Sequence, residues 1–364
     1  MGEGWGGGDE RLKNRNFFSF ALTPTLSPWG EGDSRWKLNC PPYFYSPGRQ
    51  AFMKTYLIRR CLMVVPTLIG IATVVFIIIR LAPGNPAEIL LGDYATPEAR
   101  AFLEEKMGLN EPLPVQYGIY LWNFLQGDFG RSFATNRLVL PEIIRHLPYT
   151  LELAAAAVLL SVLIGLPAGI LSAVKKDTLF DRVSMVLALF LAAMPLFWLG
   201  VLLMLLFSIH LGWFPVIGAG DPTSLNAIKY LVLPSIALAG TPTAIIARMT
   251  RSTVLEIIQQ EFVKVARAKG LGEAKVILKH VLKNVMIPVT TVIGLNMGQL
   301  LGGGVVIEMV FARPGLGKLL IDSIYARDYL QVQGTVIVIA ALFVFINLLV
   351  DLNYSLLDPR IRYR

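Results

Sequence analysis

Residues 248–288 read RMTRSTVLEIIQQEFVKVARAKGLGEAKVILKHVLKNVMIP, and the arrangement of the rest of the chain follows from this stretch. It is polar and basic inside a chain that is otherwise largely apolar. Eight Lys and Arg (248, 251, 264, 267, 269, 275, 279, 283) stand against three acids, Glu256, Glu261 and Glu273. Val254, Ile258, Phe262, Val265 and Ala266 recur at three- and four-residue spacing, with Glu256, Gln260, Lys264 and Arg267 between them, which predicts an amphipathic helix. Gly270-Leu271-Gly272 ends it, with Gly270 placed as the C-cap. A second helix follows, with Val276, Ile277, Val281 and Val285 on one side and Lys275, Lys279 and Lys283 on another, until Pro288 opens a new apolar run. An amphipathic helix pair between two membrane-length runs needs a cover for its apolar face. The ends of the spans, the membrane surface and another protein are the candidates.

Outward from this stretch, composition sets the class. The chain has 364 residues, 54% hydrophobic and 16% charged, with a mean hydropathy of +0.58. Soluble domains rarely combine these values, and a polytopic, all-α membrane protein is expected. Apolar runs predict six spans, near 57–81, 150–174, 183–209, 230–247, 286–306 and 332–352. The first is long enough to cross about 30 Å of hydrocarbon at about 1.5 Å per residue. Pro167, Pro195, Pro234 and Pro242 fall in or near them, as spans tolerate where neighbours re-satisfy the backbone. The net charge of +8 then reports topology rather than nucleic-acid binding. Lys175, Lys176 and Arg182, the eight cations of 248–288, the flank of the first span and the tail (Arg360, Arg362, Arg364) all mark one side. By the positive-inside rule both termini are cytoplasmic.

The predicted organisation has four parts. Residues 1–52, with eight Gly and five Pro, form a disordered extension outside the native protein, since Met53 begins a convincing span start. Residues 53–149 hold the first span and an extracytoplasmic loop with eight acids and five Lys/Arg, in which short helices are expected over 97–107 and 115–125. Residues 150–357 form a five-helix core containing the 248–288 loop, and 358–364 are a basic cytoplasmic tail.

Catalytic and metal chemistry find little support. Cys40 and Cys61 form no spacing pattern, and His146, His210 and His280 are scattered, so no metal site or disulfide framework is implied. Gly315-Leu316-Gly317-Lys318 imitates a phosphate loop but fails it, with Ala at 312 and Leu at 319. No cofactor is expected. In the fifth span Gly294, Gly298 and Gly302 form a small-residue stripe for close helix packing. Asn296 and Gln299, three apart, either line a polar translocation path or hydrogen-bond across helices. The absence of charge near any span midplane argues against a proton- or voltage-coupled carrier.

The run Val265-Ala266-Arg267-Ala268-Lys269-Gly270-Leu271, closed by Ile287-Pro288, resembles the coupling loop of binding-protein-dependent ABC importer permeases. That family's Glu-Ala-Ala-x-x-x-Gly pattern, laid on Gly270, puts Lys264, Val265 and Ala266 at its first three positions. Leu113-Pro114-Val115-Gln116-Tyr117, the run Gly127 to Ser132, the run Gly315 to Gly334 and the ending Leu357-Asp358-Pro359-Arg360 resemble the dipeptide/oligopeptide branch. Leu330 departs from the branch's usual Pro. The resemblance implies a non-enzymatic permease subunit of a bacterial or archaeal inner membrane, importing peptides; nickel, glutathione or oligosaccharides are the alternatives. It implies a related second permease subunit, two cytoplasmic ABC ATPase subunits and an extracytoplasmic solute-binding protein as partners. It also assigns Phe262, Val265, Ala266, Arg267, Ala268, Lys269, Gly270 and Leu271 to the ATPase contact.

Overall fold

A computed structural model describes residues 48–81, 91, 96–106, 109–221, 224 and 226–357. Eleven helices run through them: α1 (Gly48–Leu81), α2 (Pro97–Lys106), α3 (Leu113–Leu125), α4 (Val139–Val174), α5 (Leu179–Ala193), α6 (Leu196–His210), α7 (Ala227–Ile258), α8 (Glu261–Ala268), α9 (Glu273–Val310), α10 (Leu316–Tyr325) and α11 (Tyr329–Leu357). No strand occurs among the described residues; one isolated bridge joins Arg131 and Leu138. The chain is an all-α polytopic membrane protein; among the described residues five helices are long and apolar enough to cross a membrane, six if a bent pair is counted as one span.

That pair, α5 and α6, corrects the straight third span expected over 183–209. The two helices meet at 109°. Met194 is extended at ψ 132° immediately before Pro195, because the proline ring disfavours helical geometry in the residue ahead of it. The extension expected over 1–52 falls mostly outside the described residues, but positions 48–52 already belong to α1. The basic tail at 358–364 lies outside them.

The core is built on α7, the most enclosed of the spans, which packs along α4. Their approach is set by two glycines on α4. A Cβ at Gly165 would lie 2.9 Å from the Thr243 carbonyl oxygen, and one at Gly169 would lie 2.5 Å from that of Ala247. This Gly-x3-Gly pair brings backbones together as small residues do in membranes. The stripe singled out from sequence behaves differently. Gly294 and Gly298 are buried, and a Cβ at Gly298 would meet the Phe343 ring of α11 at 2.9 Å, whereas Gly302 is exposed with open space around it. Among the described residues a third, smaller apolar cluster surrounds Val139, Ile143 and Leu316, and two larger ones fill the rest of the bundle. One surrounds Leu153, Leu233, Leu238, Leu300 and Ile307; the other surrounds Ile246, Val254, Val263, Val281 and Val285 beneath α8.

Candidate functional site

The stretch 248–288 folds differently from the expected helix pair. Its first eleven residues continue the span helix α7 to Ile258. The chain breaks at Gln259 and Gln260, and α8 is a separate helix of eight residues. The expected second helix is not separate either. It is the first third of α9, which passes through Pro288 without ending. The proline forfeits one helical hydrogen bond, while Val281, Val285 and Val289, all fully buried, hold the helix on the core. α8 is thus a short crosspiece between two long helices that reach out of the bundle.

Within α8 the expected apolar face of Phe262, Val265 and Ala266 divides, and Val263, which lay outside it, joins the buried side. Val263 and Ala266, three apart, are buried in the cluster formed by Ala173, Ile246, Val254, Ile257, Val276, Val281, Val285 and Val289. Phe262 and Val265 point away and are 39% and 53% exposed. Lys264, Arg267, Ala268 and Lys269 are also exposed, and Leu271 packs against the cluster's edge. The inner face therefore locks α8 to α4, α7 and α9. An outer face of Phe262, Val265 and Lys269 stays open.

Two local devices fix the exit from α8. Gly270 has φ 77° and donates its N–H to the Arg267 carbonyl at 2.9 Å, a left-handed cap that favours glycine. Arg267 then clasps Glu273 at the start of α9 through Nη2–Oε1 at 2.5 Å and Nε–Oε2 at 3.1 Å.

A stronger clasp sits about two turns before the end of α7. Arg251 donates to both oxygens of Asp181, Nε to Oδ1 at 2.6 Å and Nη2 to Oδ2 at 2.7 Å. Asp181 is buried in the first turn of α5, accepts the Asp177 N–H at 3.0 Å, and donates its own N–H to the capping Thr178 hydroxyl. The forked geometry suits guanidinium and carboxylate. It ties the arm that carries α8 to the bent α5–α6 pair. No spacing in the sequence links positions 181 and 251, so only the fold reveals the pair.

The opposite end of the bundle holds a second feature that the sequence concealed. The fifth span was expected to stop at residue 306, leaving Glu308 in a loop; α9 instead runs to Val310 and buries Glu308 completely. Its Oε1 accepts from the Thr150 hydroxyl at 2.6 Å, and its Oε2 accepts the N–H groups of Gly317 at 2.7 Å and Lys318 at 3.2 Å. The Leu316 N–H donates to Thr150 Oγ1 at 2.8 Å. The Gly315-Leu316-Gly317-Lys318 run thus does form an anion cradle at a helix start, and the chain's own carboxylate fills it. Beside it Arg313, 1% exposed, donates Nη2 to Glu152 at 2.8 Å. Burial pulls the Arg313 guanidinium below the ordinary arginine value, with Glu152 and Glu308 opposing that shift. Asp328, also buried, binds the Ser132 hydroxyl and accepts the Phe133 N–H at 3.2 Å, joining the start of α11 to the segment before α4.

Asn296 is buried and donates Nδ2 to the Val292 carbonyl of its own helix at 2.7 Å, while Gln299 is exposed. No cluster of three metal-ligating side chains occurs among the described residues.

Comparison with known proteins places this geometry in a wider set. Residues 165–363 match the family described as binding-protein-dependent transport system inner membrane component, and residues 53–154 match that family's N-terminal region. The chain is 45% identical over 333 residues to the dipeptide transport system permease protein of Alkalihalophilus pseudofirmus, covering 85% of this chain and all of the relative. It is 40% identical over 335 residues to the di/tripeptide transport system permease protein of Pseudomonas aeruginosa, and 41% over 312 residues to the glutathione transport system permease protein of Salmonella choleraesuis; each comparison covers 86% of this chain and all of the relative. Among solved structures, a chain of the MetNI methionine ABC transporter in inward-facing conformations aligns over 60% of this chain and 97% of its own length, with a TM-score of 0.50 and 20% identity, a likeness of fold.

Proposed function

The chain belongs to the family of binding-protein-dependent transport system inner membrane components, and on that premise we propose that it is one membrane subunit of an ATP-driven importer of dipeptides and oligopeptides. It hydrolyses nothing itself. Two ABC ATPase subunits sit on the α8 side, which the basic loops make cytoplasmic. A related second permease subunit completes the membrane pathway, and a solute-binding protein delivers peptide at the opposite side. Both termini lie with α8 in the cytoplasm of a bacterial or archaeal cell.

The observation that carries this reading is the two-faced setting of α8. Val263 and Ala266 are locked into a cluster shared by α4, α7 and α9, while Phe262 and Val265 are left open. Open apolar residues at helical spacing suit a groove on a partner, as amphipathic helices do. Because the inner face is close-packed, a push on the outer face moves the attached helices instead of compressing the contact. The Arg267–Glu273 and Arg251–Asp181 clasps carry that displacement into α9 and α5. The subunit is then a transmission between hydrolysis and the spans.

The reading is tested by reconstituting the chain with its partner subunits in proteoliposomes and supplying the cognate solute-binding protein. Labelled dipeptide should accumulate inside only with ATP, and unlabelled dipeptide should compete better than glutathione. Uptake of glutathione with no competition by dipeptides would reassign the solute. ATP-independent uptake would overturn the importer reading.

A further inference from the structure

Helix α3 holds no charged residue in its thirteen positions, LPVQYGIYLWNFL, although it stands in a loop with a marked acidic balance. Its inner face is fastened to α1 at membrane depth. The Thr73 and Tyr117 hydroxyls are 2.5 Å apart, Phe76 packs edge-on against Tyr117 and stacks on Tyr120, and Arg80 donates Nε to Gln116 Oε1 at 2.9 Å. The span on α1 runs from Leu62 to Leu81. At about 1.5 Å per residue, Thr73 lies about 12 Å inside its end, well within about 30 Å of hydrocarbon.

The Gln116 side chain is treated as that depth requires, whereas the buried Tyr120 hydroxyl has no hydrogen-bond partner among the described residues. The buried Gln116 amide accepts from Arg80 and donates to the carbonyls of Leu109 at 3.1 Å and Glu111 at 2.7 Å, leaving no hydrogen to desolvate. An unmet amide in hydrocarbon would cost several kcal/mol. The other face carries Val115, Ile119 and Trp122, 43%, 51% and 63% exposed, on one helical stripe with Gly118 between them. On the membrane-spanning α1 to which α3 is fastened, Val74, Ile77 and Ile78 are exposed as well. Tyr and Trp are the residues that favour the interfacial zone.

We propose that α3 is seated in the bilayer leaflet opposite α8, with its Val115–Ile119–Trp122 face against acyl chains. It is then an interfacial helix and not part of a solvated lid. The cavity of about 820 Å³ between α3, the end of α1 and the start of α11, which Ile119 borders at the edge of that face, would consequently open at headgroup level.

The test uses the assembled importer in lipid nanodiscs, with Cys40 and Cys61 replaced by Ser. Single cysteines are introduced at Glu111, Ile119, Trp122 and, as a lipid-facing control, Ile78, and each carries a nitroxide. Collision with oxygen, which concentrates in lipid, is compared with collision with a water-soluble nickel chelate. The oxygen-to-chelate ratio at 119 and 122 should match that at 78 and exceed that at 111 several-fold. A ratio at 119 and 122 equal to that at 111 would put the face in water. Suppression of both collisions at 119 and 122 would put it against a protein subunit. Either result overturns the proposal.

Discussion

Replacing Gly315 by alanine should dislodge Glu308 from the helix start that it caps. The backbone at Gly315, φ −95° and ψ −179°, is extended and suits any residue, so the effect is steric alone. The added methyl would lie 2.1 Å from the Glu308 carboxyl carbon and 2.1 Å from Oε1, inside any tolerable contact. Glu308 must leave, and three hydrogen bonds go with it: to Thr150, to the Gly317 N–H and to the Lys318 N–H. Hydrogen bonds to a charged group contribute roughly 1.5–3 kcal/mol each. Partial rehydration of the displaced carboxylate offsets some of this, leaving a loss of about 3–5 kcal/mol. Glu308→Gln keeps one oxygen for the Gly317 and Lys318 donors and turns its NH2 toward Thr150, so it should cost about 1–2 kcal/mol. The assay is thermal unfolding of the purified assembled complex, with hydrogen exchange at Gly317 and Lys318 as the local probe. Gly315→Ala should melt well below Glu308→Gln, and both below the parent, with exchange at the two amides accelerated most in Gly315→Ala. Parental melting and parental protection in Gly315→Ala would refute the cradle.

The other clasps make separate predictions. Arg251→Ala leaves the buried Asp181 with the Asp177 N–H as its remaining hydrogen-bond donor, and should destabilise by about 2–4 kcal/mol; Asp181→Ala with Arg251→Ala should cost less than the two single changes summed, as thermal melts of the four proteins would show. Gly270→Val forces a β-branched residue to φ 77° at about 1–2 kcal/mol. It should leave membrane insertion intact while lowering ATP-dependent uptake; unchanged uptake would show that the turn after α8 tolerates reshaping. Gly298→Leu must displace Phe343, at about 1–3 kcal/mol, and should lower the melting point of this chain before any effect on solute choice.

The fold class and the placement of the basic stretch were legible because they rest on local signals. Long apolar runs, the Gly270 cap and lysine-rich loops each act within one or two turns. What the sequence hid depends on partners far along the chain. Periodicity joined Val254, Ile258, Phe262, Val265 and Ala266 into one face, but the break at Gln259 resets the helical phase, so that Val263 joins Ala266 inward while Phe262 and Val265 turn outward. Asp181 and Arg251 are seventy positions apart, and Glu308 and Thr150 are 158 apart. The glycine stripe on α9 was as conspicuous as the pair on α4, yet only the latter faces a crossing backbone at both positions. Proline also misled in both directions: Pro195 bends a span that looked continuous, while Pro288 fails to end α9.

The same phase shift decides how the coupling role should be tested. Ala266→Glu is a poor probe, since its carboxylate would enter the core of this subunit and damage folding. Phe262→Glu with Val265→Glu alters only the open face. The direct measurement is ATP hydrolysis by the purified complex carrying both changes, with and without loaded solute-binding protein, alongside the amount of ATPase that copurifies. The account predicts a normally folded permease that either loses its ATPase or retains one whose hydrolysis no longer rises with loaded binding protein. Full ATPase retention with parental stimulation would contradict it.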